Sequence, residues 1–152
     1  MRISIHMDLA MFEKKSILIS IREVHFKEIL AGRKKAEIRR VAPQGIDGLR
    51  FFVYIPSPIK VVKGFFVARQ IYNLPVDDLW ATSGYDSALS KVDFFNYLSG
   101  KSFGYSIHFD CFTPLCKEIH LSIIKSKFPR FHPPQSFQYL PGEIERFLLT
   151  NA

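Results

Sequence analysis

The stretch ILAGRKKAEIRR, residues 29–40, decides how the rest of the chain is read. Its first half ends a helix. Phe26, Ile29 and Leu30 recur at helical spacing from about Arg22 to Ala31. Gly32 then stands where a helix C′ glycine belongs, because only glycine enters the left-handed conformation without a Cβ penalty. Arg33, Lys34 and Lys35 follow at the negative end of that helix, where positive charge is mildly favoured. From Lys35 the period changes to two: Ala36 and Ile38 point one way, and Lys35, Glu37 and Arg39 the other. A junction carrying five basic residues and one carboxylate is either a solvated helix end or the lining of a cleft. The chain around it favours the cleft.

Outward from that junction, Ser16 to Ile21 (SILISI) reads as a buried strand entering the helix. After the loop VAPQGIDG come two more strands, Arg50 to Ile55 (RFFVYI) and Val61 to Ile71, joined by PSPIK. Gly64 inside the second marks a bulge or a close backbone approach. Pro75 opens a short helix (PVDDLW) with acids in its first turn. Ser90 caps another, with Asp93 at its third position and Gly100 closing it. Phe103 to Phe112 alternates cleanly as a strand, LCKEIHL reads as strand, KFPRFHPPQSFQYL is irregular, and PGEIERFLL ends the chain as a helix. The expectation is an α+β fold, a curled sheet of five to six mostly antiparallel strands with peripheral helices. Residues 1–15 form an arm or extra strand, and residues 16–152 one domain, a size that buries a real core.

The net charge of +7 is unevenly placed: residues 13–63 hold twelve Lys/Arg against five Asp/Glu, and the remainder holds nine of each. A basic half on a neutral scaffold suits a polyanionic partner. No apolar run approaches the roughly 20 residues that span a bilayer. MRISIHMDLAMFEKK lacks a signal-peptide core, so no membrane and a cytoplasmic location are expected. Cys111 and Cys116 fit no disulfide framework and no CxxC pair, and are expected as small buried hydrophobes. Five histidines without paired spacing argue against a metal site, and no phosphate-binding glycine loop is present, so neither metal nor cofactor is expected. Ser106, His108 and Asp110 share a strand face, but alternate residues lie about 7 Å apart, too far for a nucleophile–base pair.

SILISIREVHFKEILAGRKKAEIRR resembles the signature of ASCH domains, members of the PUA-like superfamily. Their Gly-x-Lys-x-x-Glu-x-Arg segment falls on Gly32, Lys34, Glu37 and Arg39. VYIPSPIKVVKGFF is similar to the strand–turn–strand that follows, GKSFGYSIHF to a late strand, and HPPQSFQYL to an ending seen in part of the family. The resemblance runs from about Ser16 to Leu140 and implies a PUA-like pseudo-barrel with a cleft beside the first helix and a role in RNA binding. One branch resembles amidohydrolases acting on acetylated cytidine through a Lys, a Thr and a Glu. That Lys falls on Lys34 and the Thr on Glu37, so the hydroxyl nucleophile is missing here. Other members act as ribonucleases.

The candidate site follows. Lys34, Lys35, Glu37 and Arg39 meet a phosphate and a base edge, with Lys34 and Glu37 as the catalytic candidates if there is turnover. Arg40, Arg50, Lys60 and Lys63 read as generic phosphate contacts or a solvated face, and Ser57 lies in the turn beside them. Phe52 and Tyr54 share one strand face, opposite Phe51, Val53 and Ile55. Most of these aromatics belong in the core, while one such as Tyr54 stacks a base for about 1–3 kcal/mol. Gln135, Ser136 and Tyr139 either wall the cleft or merely anchor the approach to the last helix. The leading expectation is nucleic-acid binding, RNA or a single strand rather than duplex DNA. The alternatives are a hydrolase acting on RNA or a modified nucleoside in the same cleft, and a module whose basic face meets an acidic protein.

Overall fold

The structure is a computed structural model that describes residues 16–43 and 48–151. The arm at residues 1–15 and residues 44–47 of the first loop lie outside the described residues. SILISI is apolar on both faces because both are covered. Strand β1 (Ile17–Ser20) lies inside a five-stranded sheet, and Ile17, Leu18 and Ile19 are fully buried. That sheet has the order β7-β4-β3-β1-β8, with β3 (Arg50–Ile55), β4 (Val61–Val67), β7 (Phe112–His120) and β8 (Phe137–Tyr139). β1 runs parallel to β3 and antiparallel to β8; the other pairs are antiparallel. A second sheet has the order β2-β6-β5, with β2 (Ala36–Arg39), β5 (Gln70–Pro75) and β6 (Phe103–His108).

Helix α1 (Glu23–Leu30) leaves β1 and packs Phe26 and Ile29 into the main core. Gly32 ends it at φ +76°, with its N–H donating to Ile29 O (3.0 Å) and that of Arg33 to Glu28 O (3.1 Å), which is a Schellman motif. Leu30, expected on the apolar stripe, is exposed instead, since Phe26 and Ile29 already define the buried face. The division of faces along β3 is as expected: Phe51, Val53 and Ile55 join the main core with Ile107 and Phe109. Phe52 and Tyr54 face a second core closed by α4 (Leu121–Lys127) and α5 (Gly142–Leu149). Helices α2 (Val76–Ser87) and α3 (Lys91–Tyr97) cover the small sheet through Leu79, Phe94 and Leu98 against Ile38. The Ser90 hydroxyl caps α3 by accepting from the Asp93 N–H at 3.1 Å.

The α+β class holds, with eight strands among the described residues rather than five to six, in two sheets that do not close into a barrel. Two long strands are split. Val61–Ile71 becomes β4 and β5 because buried Ala68 is tied to Leu49 and the chain changes sheets there. Phe103–Phe112 breaks after His108, where Phe109 enters the core and bonds Lys35 O while Asp110 turns to solvent. That break also corrects the cysteines, since Cys111 lands in the turn and Cys116 on an outward position of β7, both exposed. Gly64 meets both expectations: the pairing shifts register beside it, and a Cβ there would lie 2.2 Å from Thr113 O. No helix among the described residues is long and apolar enough to cross a membrane.

Candidate functional site

A cleft of about 1350 Å³ opens where the end of β1, the first turn of α1, β2, the β3–β4 turn, the start of α4 and the loop 133–137 converge. The loop is strapped to β1: the Ser20 hydroxyl donates to Pro134 O (2.6 Å), and the Ser20 N–H to Ser136 O (2.9 Å). The Ile21 N–H in turn donates to Tyr54 O at 2.9 Å, so three separate chain segments share one wall.

The floor is an ion triad. Glu37 Oε1 accepts from Arg39 Nε at 3.0 Å, and Oε2 lies 3.2 Å from Lys34 Nζ without a well-aligned hydrogen bond. All three side chains are nine-tenths or more buried. Lys34 also donates to Ala36 O (3.0 Å) and Ser87 O (2.9 Å), so two of its three donors are taken by backbone carbonyls. Arg39 donates to Ser20 O at 2.5 Å and reaches the Ser136 hydroxyl at 3.5 Å. Burial alone would push the Glu37 carboxyl up, but Lys34 and Arg39 outweigh it and hold the carboxyl below its usual range.

The mouth carries exposed Arg22, Ser57, Lys60, Gln135 and Ser136. Lys60 sits at φ +56°, a left-handed backbone that a non-glycine residue adopts at a cost of roughly 1–2 kcal/mol. Tyr54 is buried against the same wall, and that burial raises its phenol above the usual value. Half-buried His25, in the first turn of α1, faces the triad. Burial first, then Lys34, Arg22 and Arg39, push its imidazole down against the opposing pull of Glu37. Five Lys/Arg (22, 34, 39, 40, 60) against Glu37 and Asp93 leave the lining at +3, and Val24, Val41, Tyr97 and Phe137 add apolar walls.

Nine of the eleven expected residues line this one cleft. Lys35 and Tyr139 do not. Lys35 turns out beside Gly32 and Tyr85, and Tyr139 lies exposed on the short edge strand β8. Arg40 lines the cleft but commits Nη1 to Tyr97 O and Ser99 O, both at 2.9 Å, which ties β2 to the end of α3. Arg50 and Lys63 lie elsewhere, paired with Glu145 and Glu118. Arg22 and His25 were missed. Their signal was placement: both flank the Phe26/Ile29 stripe in the turn that abuts the charged strand. Ser106, His108 and Asp110 form no triad, since His108 bonds the buried Ser83 hydroxyl at 2.8 Å and Asp110 pairs with Arg69.

No family model matches the chain. An ASCH domain-containing ribonuclease from Zymomonas mobilis subsp. mobilis is 29% identical over 138 residues, covering 91% of this chain and 93% of the relative. The crystal structure of ASCH from Zymomonas mobilis superposes with a TM-score of 0.82 at 29% identity, covering 90% of this chain and 94% of that one. A serine-to-alanine variant of that protein gives 0.83 at 28%, covering 91% and 96%. The chain is an ASCH-domain protein. The first strand, the helix and the Gly-x-Lys-x-x-Glu-x-Arg segment thus build one wall and the floor of the cleft.

Proposed function

We propose that this ASCH domain binds single-stranded RNA in the cleft and cleaves its backbone. The observation that carries the reading is the placement of a half-buried imidazole, His25, among Arg22, Lys34, Arg39 and Lys60 in an open cleft with apolar walls. Small-molecule pockets span roughly 300–1000 Å³, so a volume of about 1350 Å³ suits a stretch of polymer better than one nucleoside. That the Zymomonas mobilis relative is a ribonuclease supports the same substrate class.

In this mechanism His25 takes the proton from a ribose 2′-hydroxyl, and the oxygen attacks the adjacent phosphorus. The bond from phosphorus to the 5′ oxygen breaks, and that oxygen leaves with a proton from a cleft water. The products are a 2′,3′-cyclic phosphate and a 5′-hydroxyl end. Arg22 and Lys60 stabilise the charge that builds on the non-bridging oxygens. DNA, lacking the 2′-hydroxyl, is bound but not cut. A reading with Lys34 and Glu37 as the reacting pair, on RNA or on a modified nucleoside, is less well supported, because Lys34 is buried and held by two backbone carbonyls and its ion pair with Glu37.

The test is incubation of a labelled single-stranded RNA with the protein and with His25→Ala, followed by mass analysis of the ends. The expected result is cyclic-phosphate ends from the wild type and a rate roughly 10²–10⁴-fold lower in the variant, with RNA affinity little changed. The wild-type rate should fall as pH drops, with a midpoint below 6.5, since His25 must be neutral to accept the proton. Intact RNA throughout, or an acid limb that survives in His25→Ala, contradicts the mechanism.

A further inference from the structure

Between residues 119 and 142 the chain has no carboxylate, yet it carries Lys125, Lys127 and Arg130. Summed charge hides this segment, because acids elsewhere in the second half cancel it. Folding does not hide it. The segment leaves the cleft and returns to it: Leu121 and Pro133 both line the cleft, and the Leu121 N–H donates to Lys60 O at 2.8 Å. Between those two anchor points the backbone is fixed, with Ile124 and Phe131 buried in the second core. Lys125, Lys127 and Arg130 are exposed, and among the described residues none of them has an ion-pair partner. The Lys127 ammonium lies 4.9 Å from the centre of the Phe147 ring, a contact that leaves its charge unneutralised.

We infer that this excursion, α4 and the loop to Pro133, is a second, sequence-independent contact for single-stranded RNA that leaves the cleft beside Lys60. It rests on the RNA reading of the cleft and extends the bound footprint beyond it. Lys125 stands four residues into the path from Leu121, about 6 Å along the helix, so a strand passing Lys60 meets it within a short reach. The contact is to phosphates: exposed Lys and Arg on a fixed backbone, without a carboxylate in the segment or an ion-pair partner, read charge and not base identity.

The experiment measures binding of 2′-O-methyl RNAs of roughly 4 and roughly 16 nucleotides, which lack the attacking hydroxyl and stay intact, across a salt series. The triple variant Lys125→Gln/Lys127→Gln/Arg130→Gln is compared with wild type, and circular dichroism confirms that both are folded. Three lost phosphate contacts on a single strand should flatten the slope of log affinity against log salt by about 2 for the longer RNA. The shorter RNA should bind the two proteins alike. Equal slopes for the longer RNA, or equal weakening of both RNAs, overturn the inference while leaving cleft binding intact. Absence of wild-type binding to either RNA overturns the cleft reading itself, and this extension with it.

Discussion

At the scale of the residue, the buried Lys34–Glu37–Arg39 triad holds the cleft together more than it stabilises the fold. Taking three charges out of water costs about as much as their attraction returns, so the intact set adds little net stability. Removing one member is different, because it strands the others. Glu37→Gln is expected to cost about 3–5 kcal/mol. At roughly 2–4 °C per kcal/mol for a chain of this size, calorimetry should show Tm lower by at least about 6 °C. The sign with pH follows from the depressed carboxyl: its stabilisation is complete above the ordinary 4.5 and is lost as pH falls through the lower folded value. The gap in Tm between wild type and Glu37→Gln should therefore be flat near neutrality and close in acid. A gap that persists unchanged in acid would mean the triad acts through packing and not through charge. Period two placed Glu37 and Arg39 on one side of β2, but nothing in a run of charges signals burial. The burial of Arg39 and Lys34 depends on the carbonyls of Ser20 and Ser87, which arrive from β1 and from the end of α2.

At the scale of the element, two glycines separate two kinds of constraint. Gly64 has no room, since a Cβ would lie 2.2 Å from Thr113 O and 2.8 Å from Pro114 Cα, both backbone atoms. Gly32 has open space but a φ of +76°. Gly32→Ala is expected to cost roughly 1–2 kcal/mol through its left-handed backbone. Gly64→Ala is expected to cost more, about 3 kcal/mol, because two strands must part. Chemical denaturation of the two variants checks the ranking, and the reverse order would contradict the register assigned to β4 and β7. Both glycines were legible because a helix stop and a bulge are local chemistry. β8 was not, since its three residues are a strand only by pairing with β1, more than a hundred positions away. The division of Val61–Ile71 was hidden for a related reason: alternation continues through Ala68 without a glycine or proline to mark the change of sheet. Helix α4 follows β7 directly and contains two isoleucines, a composition that reads equally well as strand.

At the scale of the whole molecule, the basic half of the sequence becomes one wall and the floor of a cleft, and the loop 133–137 completes that wall beside β1. The contributing residues run from Ser20 to Phe137, so composition located the charge but not its counterpart. Arg22 and His25 were absent from the expected set because their importance comes from facing a strand that the sequence places ten or more positions later. The central claim is that this cleft holds RNA, and fluorescence anisotropy with an uncleavable 2′-O-methyl RNA across a salt series tests it most directly. The comparison pairs wild type with Arg22→Gln/Lys60→Asn. Both changes are exposed, and asparagine tolerates the left-handed backbone at position 60. Wild-type binding that weakens with salt, with about 1.4 of that slope missing in the double variant, is the predicted result. Identical slopes in the two proteins, or no wild-type binding at low salt, would contradict it.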